Sequence, residues 1–270
     1  RSILSSMNGV AVDSHGLLLN TVTVKTTREL IPQIEALSFV TLMEEDAEGT
    51  FELDISAQSI YATTMWGAGY TGGDGTSAGF DALVIDEGVD SSHPWLSSHF
   101  DVAGQEKGFP DDGTCLDVDD YTGHGTGIAG IFGSTGSTYK GISFGLDKLY
   151  NAKLCNSSWM YWEDAYEWAG SGGSGANNDP AEVQNCSAGW SSPIKTGNTT
   201  SEYYIDASTY VDDAIWTTSA GNNPPITVTV PGYAYNVITV GNMKEYTGIP
   251  PKTTDRDFHT IAASSAVGPG

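Results

Sequence analysis

Asp86, His124 and Asn222 each stand at an edge of a short apolar or small-residue run: FDALVIDEGVD over 80–90, YTGHGTGIAGIFG over 121–133 and AIWTTSAGNN over 214–223. Their side chains have complementary chemistry. A carboxylate can hold an imidazole in one tautomer and stabilise its protonated form, and an imidazole so held can take up a proton and later return it. A carboxamide can donate to an oxygen on which negative charge develops. A carboxylate at the C-terminal end of a buried strand also lies where open α/β sheets build their sites. Read alone, Asp86 could simply open a turn before Gly88, and Asn222-Asn223-Pro224 could be a plain turn. The dense setting of small residues around His124 fits close approach of another backbone, and predicts that His124 opens a helix.

The elements that must position these residues are legible as apolar runs. Ala82–Ile85, Val183–Cys186, Ala214–Thr218 and Val237–Val240 lack polar alternation, which suits strands covered on both faces in a parallel sheet. Trp162, Ala165, Tyr166 and Ala169 are spaced for one face of a helix over 161–169. Residues 1–60 have a different texture. Thr21–Val24 alternates as a strand, and residues 28–37 predict a helix with Leu30, Ile31, Ile34 and Leu37 on one face and Pro32 in its first turn. Residues 39–43 predict a further strand.

Composition excludes whole classes of function. With 34 acidic against 11 basic residues, the net charge is −23, so nucleic acid is excluded as a partner. The acid is dispersed along the chain, as on a surface adapted to high salt, where screening relieves self-repulsion. No run of 18 apolar residues predicts a membrane span. Three cysteines form no even disulfide framework: Cys186 reads as buried packing, and a Cys115–Cys155 pairing is left open. Asp111, Asp112, Asp117, Asp119 and Asp120 do not follow EF-hand spacing and read as a solvated acidic loop.

The order and neighbourhoods of the three motifs resemble the subtilisin-like serine proteases, the subtilases. The resemblance covers about residues 61–270 and extends to Asn185-Cys186-Ser187-Ala188-Gly189, to Val230-Pro231-Gly232 with Val237–Gly241, and to Ser264-Ser265-Ala266-Val267-Gly268-Pro269. It implies an α/β, three-layer fold with a parallel central sheet. It implies an endopeptidase in which Asp86 orients His124, His124 acts as base and then acid, and Asn222 binds the oxyanion. Ser187, Ala188 and Gly189, with Ala220 and Gly221, would line the groove that pairs with a peptide substrate. No organic cofactor is implied; structural calcium is common in the family. The chain departs from the usual family pattern at Glu87 and Ala188, and Gly127 stands where a second His often occurs.

Under the same resemblance, residues 1–60 correspond to the end of an inhibitory propeptide, a small α+β piece and a partner of the catalytic domain over 61–270. Secretion is expected with it. The nucleophilic serine would lie in a Gly-Thr-Ser segment after the Ser264–Pro269 turn, and no such segment follows there; Gly75-Thr76-Ser77 precedes the Asp motif and is out of order. The chain therefore reads as an internal stretch of a longer protein, with the sheet incomplete at its C-terminal end and inactive by itself. Two other readings are carried: an inactive relative that binds peptides in the same groove, and a non-enzymatic acidic surface protein. A Glu/Asp pair on one helix, used by sedolisin-type peptidases, finds only Glu163 and Glu167 here.

Overall fold

The computed structural model describes residues 2–15, 22–40, 57, 60–73, 79–101, 103–110, 113, 115–155, 159–170, 180–191, 197–222, 228–243, 261–262 and 264–266. The chain forms two compact units, Arg1–Thr50 and Phe51–Gly270.

The first unit opens with a short helix, α1 (Ser2–Ser6), followed by antiparallel strands β1 (Ala11–His15) and β2 (Val22–Lys25). A single 3₁₀ turn (Arg28–Leu30) runs into α2 (Ile31–Glu35), which accommodates Pro32 at its start, where a missing N–H leaves nothing unpaired. Leu4, Val10 and Ile34 make its small buried core. The strand predicted for residues 39–43 is not seen in Phe39, which lies in a turn, or in Val40, which is irregular; residues 41–43 lie outside those described. β1 has no counterpart in the sequence reading.

The second unit begins with the short helix α3 (Ala62–Gly67) and is built on a six-stranded sheet. Its strands are β3 (Ala82–Asp86), β4 (Glu106–Phe109), β5 (Leu149–Leu154), β6 (Val183–Cys186), β7 (Ile215–Ser219) and β8 (Val237–Val240). All neighbours run parallel, in the spatial order β4-β5-β3-β6-β7-β8. The expected runs thus form strands, β6 and β8 with the bounds read from the sequence. β4 and β5 were not expected: Glu106-Lys107-Gly108-Phe109 is not an apolar run, and Asn151 and Lys153 interrupt the apolar residues of β5.

Three long helices cover the sheet: α4 (His124–Gly133), α5 (Trp159–Gly170) and α6 (Thr200–Val211). The side chains of β3 show how. Leu83 and Ile85 enter one core with Trp162, Tyr166, Ile205 and Trp216 of α5, α6 and β7. Ala82 and Val84 enter another with Ala129 of α4, Leu96 and Leu149. Successive strand residues point to opposite faces, so β3 is wholly buried between two helical layers. On α5 the predicted stripe Trp162, Ala165, Tyr166 and Ala169 is buried. The start of α6, also not expected, is secured by a capping box: the Thr199 hydroxyl accepts from Glu202 N–H, and the Glu202 carboxylate accepts from Thr199 N–H at 2.8 Å.

Candidate active site

The order of the strands determines where a site can form. From β3 the chain goes out to β4, returns through β5 and only then crosses to β6 on the other side. The direction of winding reverses at β3, and a crevice opens beyond its carboxyl end. Asp86 is the last residue of that strand and is 2% exposed.

His124 is the first residue of α4 and is exposed. Gly123 before it adopts φ 86°, a left-handed conformation natural to glycine. Gly125 after it packs on the β3 loop so closely that a Cβ would run into the Gly88 carbonyl. The small residues around His124 are what let the helix start against the sheet edge.

His124 Nδ1 lies 2.8 Å from Asp86 Oδ1 and 3.0 Å from Oδ2. An ionised carboxylate only accepts, so Nδ1 carries the proton, and in the neutral ring Nε2 is left as the basic atom. Nε2 has no hydrogen-bond partner among the described residues, and the His124 side chain is 55% exposed. The hydrogen bond that His124 donates to Asp86 raises the His124 pKa above its usual 6.5; burial opposes it, and the charges of Asp86, Glu87 and Asp120 add to it. Asp86 Oδ1 also accepts from Glu87 N–H at 2.8 Å, which helps fix the carboxylate plane.

The other expected site residues lie on the same rim. Cys186 pairs in register with Ile85 and with Thr218, so Ser187, Ala188 and Gly189 leave β6 beside Asp86. Asn185 ties them down: its Nδ2 donates to Ser187 Oγ, and its Oδ1 accepts from Thr217 Oγ1, each at 2.9 Å. Ala220 and Gly221 leave β7 at the same end. Ala220 N–H donates to the Val240 carbonyl and Ala266 N–H to the Gly221 carbonyl, each at 2.8 Å. Asn222 follows, exposed, with no hydrogen bond to another described residue. Asp86 and His124 are therefore in contact, whereas Ser187–Gly189 and Ala220–Asn222 share only the carboxyl edge of the sheet. Asn223 lies outside the described residues.

Two features of the site were not foreseen. Asp120, four residues before His124, was read as part of a solvated loop, yet its carboxylate is bound to backbone N–H groups at the start of α4. Lys153, in register with Asp86 on the neighbouring strand, is buried and donates to Asp117 Oδ1 at 2.7 Å and to the Asp119 carbonyl at 2.6 Å. The spacing Asp-x-x-x-His was the available signal for the first. Nothing local marks the second. Cys115 and Cys155 are joined in a disulfide, while Cys186 is a free, buried thiol. Glu163, half of the alternative acidic pair, has its pKa raised by burial and by Asp164 and is hydrogen-bonded to Ser201.

Comparison with known proteins identifies the family. Residues 83–269 match the Peptidase S8 family, the subtilases. The chain is 31% identical over 225 residues to the minor extracellular protease Vpr of Bacillus subtilis (strain 168), a match covering 74% of this chain and 24% of Vpr. It thus spans about a quarter of the length of that relative. Among solved structures, the epidermin leader peptide processing serine protease of Staphylococcus aureus superposes with a TM-score of 0.57 at 16% identity, over 95% of this chain and 67% of that one. The nisin leader peptidase of Lactococcus lactis gives 0.51 at 20% identity, over 70% and 59%. These likenesses are of fold. With the family match extending over most of the chain, residues 1–270 belong to the subtilase family.

Proposed function

We propose that the whole protein is a serine endopeptidase and that Asp86 and His124 are two members of its triad. The observation that carries the reading is the hydrogen bond from His124 Nδ1 to a buried Asp86 at the switch point of the sheet, with Nε2 left open. In this reading a serine hydroxyl attacks the substrate carbonyl carbon, and its proton passes to His124 Nε2. The developing oxyanion is held by the Asn222 carboxamide. As the tetrahedral intermediate collapses, the leaving amine takes the proton from His124, and the acyl-enzyme is then hydrolysed by water through the same two atoms. The serine is assigned to a Gly-Thr-Ser segment that does not occur between Asn222 and Gly270, so residues 1–270 by themselves are expected not to cleave.

Peptide substrates would lie along Ser187, Ala188 and Gly189 and along Ala220 and Gly221, adding a strand to the carboxyl rim. Residues 1–60 would be the end of an inhibitory propeptide and a partner of the catalytic domain. Secretion is supported by the disulfide, which suits an oxidising compartment, and by the likeness to the extracellular protease Vpr. The dispersed net charge of −23 supports an origin in high salt. No cofactor is assigned to the chemistry; structural calcium would be additional.

The test is to express the whole protein in salt, treat it with a serine-directed fluorophosphonate, and assay it on casein. Labelling and cleavage that disappear in His124→Ala are the expected result. A folded protein that carries the serine yet neither labels nor cleaves would instead be a peptide-binding relative.

A further inference from the structure

The segment between β4 and α4 is fastened to one face of β5. Asn151, Lys153 and Cys155 alternate along that strand and its end, so their side chains share a face. Asn151 Nδ2 donates to the Val118 carbonyl at 3.0 Å, Lys153 Nζ to the Asp119 carbonyl and Asp117 Oδ1, and Cys155 is bonded to Cys115. The intervening Ala152 and Leu154 point into the core on the other face. A strap anchored at four points leads directly into Asp120.

Asp120 then gathers the start of the helix. Its Oδ1 accepts from Thr122 N–H at 2.9 Å and Gly123 N–H at 2.8 Å, and its Oδ2 accepts from Thr126 N–H at 2.8 Å. The Thr122 hydroxyl donates to the same Oδ1 at 3.2 Å and accepts from His124 N–H at 3.2 Å. The N–H groups of 122, 123 and 126 thus meet one carboxylate, and that of 124 meets it through one hydroxyl. No side chain of Gly123 could do this. An anion at a helix N-terminus is also favoured by the helix dipole. Burial alone would raise the Asp120 pKa; the hydrogen bonds from Thr126, Thr122 and Gly123 outweigh it and hold the group at about 2, so it remains ionised wherever His124 titrates.

We propose that Asp120 is a positioning residue for His124: held by the β5 strap, it fixes the first turn of α4 and with it the direction of the imidazole toward Asp86. This rests on the triad reading for its effect on rate, but not for its effect on His124 itself. The charged groups acting on the ring are Asp86 from β3, Glu87 from the turn after it, and Asp120 from the strap.

The test compares Asp120→Asn, Asp120→Glu and Asp119→Asn. His124 is followed by NMR titration and by its Nδ1 proton resonance, and kcat and KM are measured, all in the whole protein. Asp120→Asn is expected to lower the His124 pKa, weaken the Nδ1 proton signal and reduce kcat about ten- to hundredfold with little change in KM, the scale expected for a misplaced catalytic group. Asp120→Glu keeps the charge but displaces the carboxylate, so it should preserve the raised pKa and still lose rate. It also decides the matter if Asp120→Asn does not fold. Asp119→Asn, which removes a charge next door, should match the parent in both measurements. A folded Asp120→Asn with unaltered His124 titration and Nδ1 signal overturns the assignment, as does parental kcat in Asp120→Glu or an equal effect in Asp119→Asn. A parent without activity would overturn the triad reading while the NMR comparison still judges Asp120.

Discussion

His124 Nδ1 and Asp86 Oδ1, 38 residues apart in the chain, meet at 2.8 Å with the carboxylate buried and the ring half open to solvent. That asymmetry suits a base that is oriented from inside the protein and meets its substrate outside. It has consequences for pH. Because the folded pKa of His124 is raised above 6.5, its pairing with Asp86 stabilises the fold fully below that value and is lost as pH rises through the folded pKa. For the proposed peptidase, activity of the whole protein would run the other way, since the base must be neutral. The acid limb of the kcat/KM profile should therefore lie above 6.5. In Asp86→Asn the His124 titration should move down, and kcat should fall about 10⁴-fold as the tautomer is lost. A limb that does not move in Asp86→Asn would count against the pairing.

Asp81 supplies a second pH dependence at the opposite end of β3. Burial raises its pKa to about 6, the nearby Lys148 opposes the shift, and Glu182 and Asp147 add to it. Its carboxylate accepts from Lys148 N–H at 3.0 Å and from the Tyr150 hydroxyl at 3.4 Å. With the folded pKa above the usual 3.8, stability is highest below that value and declines as pH rises toward 6. Asp81→Asn should remove this loss, since the Tyr150 hydroxyl can turn to accept from an amide. The variant should be more stable than the parent at pH 8 by about 1–2 kcal/mol, and no more stable near pH 4. Urea melts at the two pH values check both statements.

The Cys115–Cys155 disulfide closes a loop of 40 residues that contains the strap and all of α4. Chain-entropy arguments assign such a loop about 3–4 kcal/mol. The Cys115→Ser/Cys155→Ser double variant should lose most of that in denaturant melts. Its largest chemical-shift changes should fall in residues 115–124, because the strap would then hang on Asn151 and Lys153 alone. Uniform small shifts would mean that the disulfide does not hold the strap.

Self-repulsion from a net charge of −23 should make stability depend on salt. Raising KCl from about 0.1 M, where charges are screened over about 10 Å, to about 1 M, where the length is about 3 Å, should raise the Tm steadily. A Tm that is flat across this range would remove the argument for a high-salt origin.

Much of the sheet was legible because β3 and β8 are short, mostly apolar runs, Val183 and Cys186 bound β6 with apolar residues, and the stripe on α5 has helical spacing. β5 was not, for a reason visible only in the fold. Its polar residues Asn151 and Lys153 are buried, which a local reading takes as evidence against a core strand. Their donor groups are tolerated because Asp117, Val118 and Asp119 of the strap and Glu106 of β4, all 30 or more positions away, accept from them. The α6 start had a local signature in Thr199-x-x-Glu202 that went unread.

The sequence by itself singled out Asp86 and His124 as candidates, because small residues around His124 and an acid at the end of an apolar run are local patterns. Only the tertiary structure decided that Asp86 meets His124 and that Cys115 joins Cys155. Both depend on the chain going out to β4 and returning through β5 beside β3. Side-chain chemistry is written residue by residue, but a hydrogen bond of 2.8 Å between segments 38 residues apart exists only once the strands between them have paired.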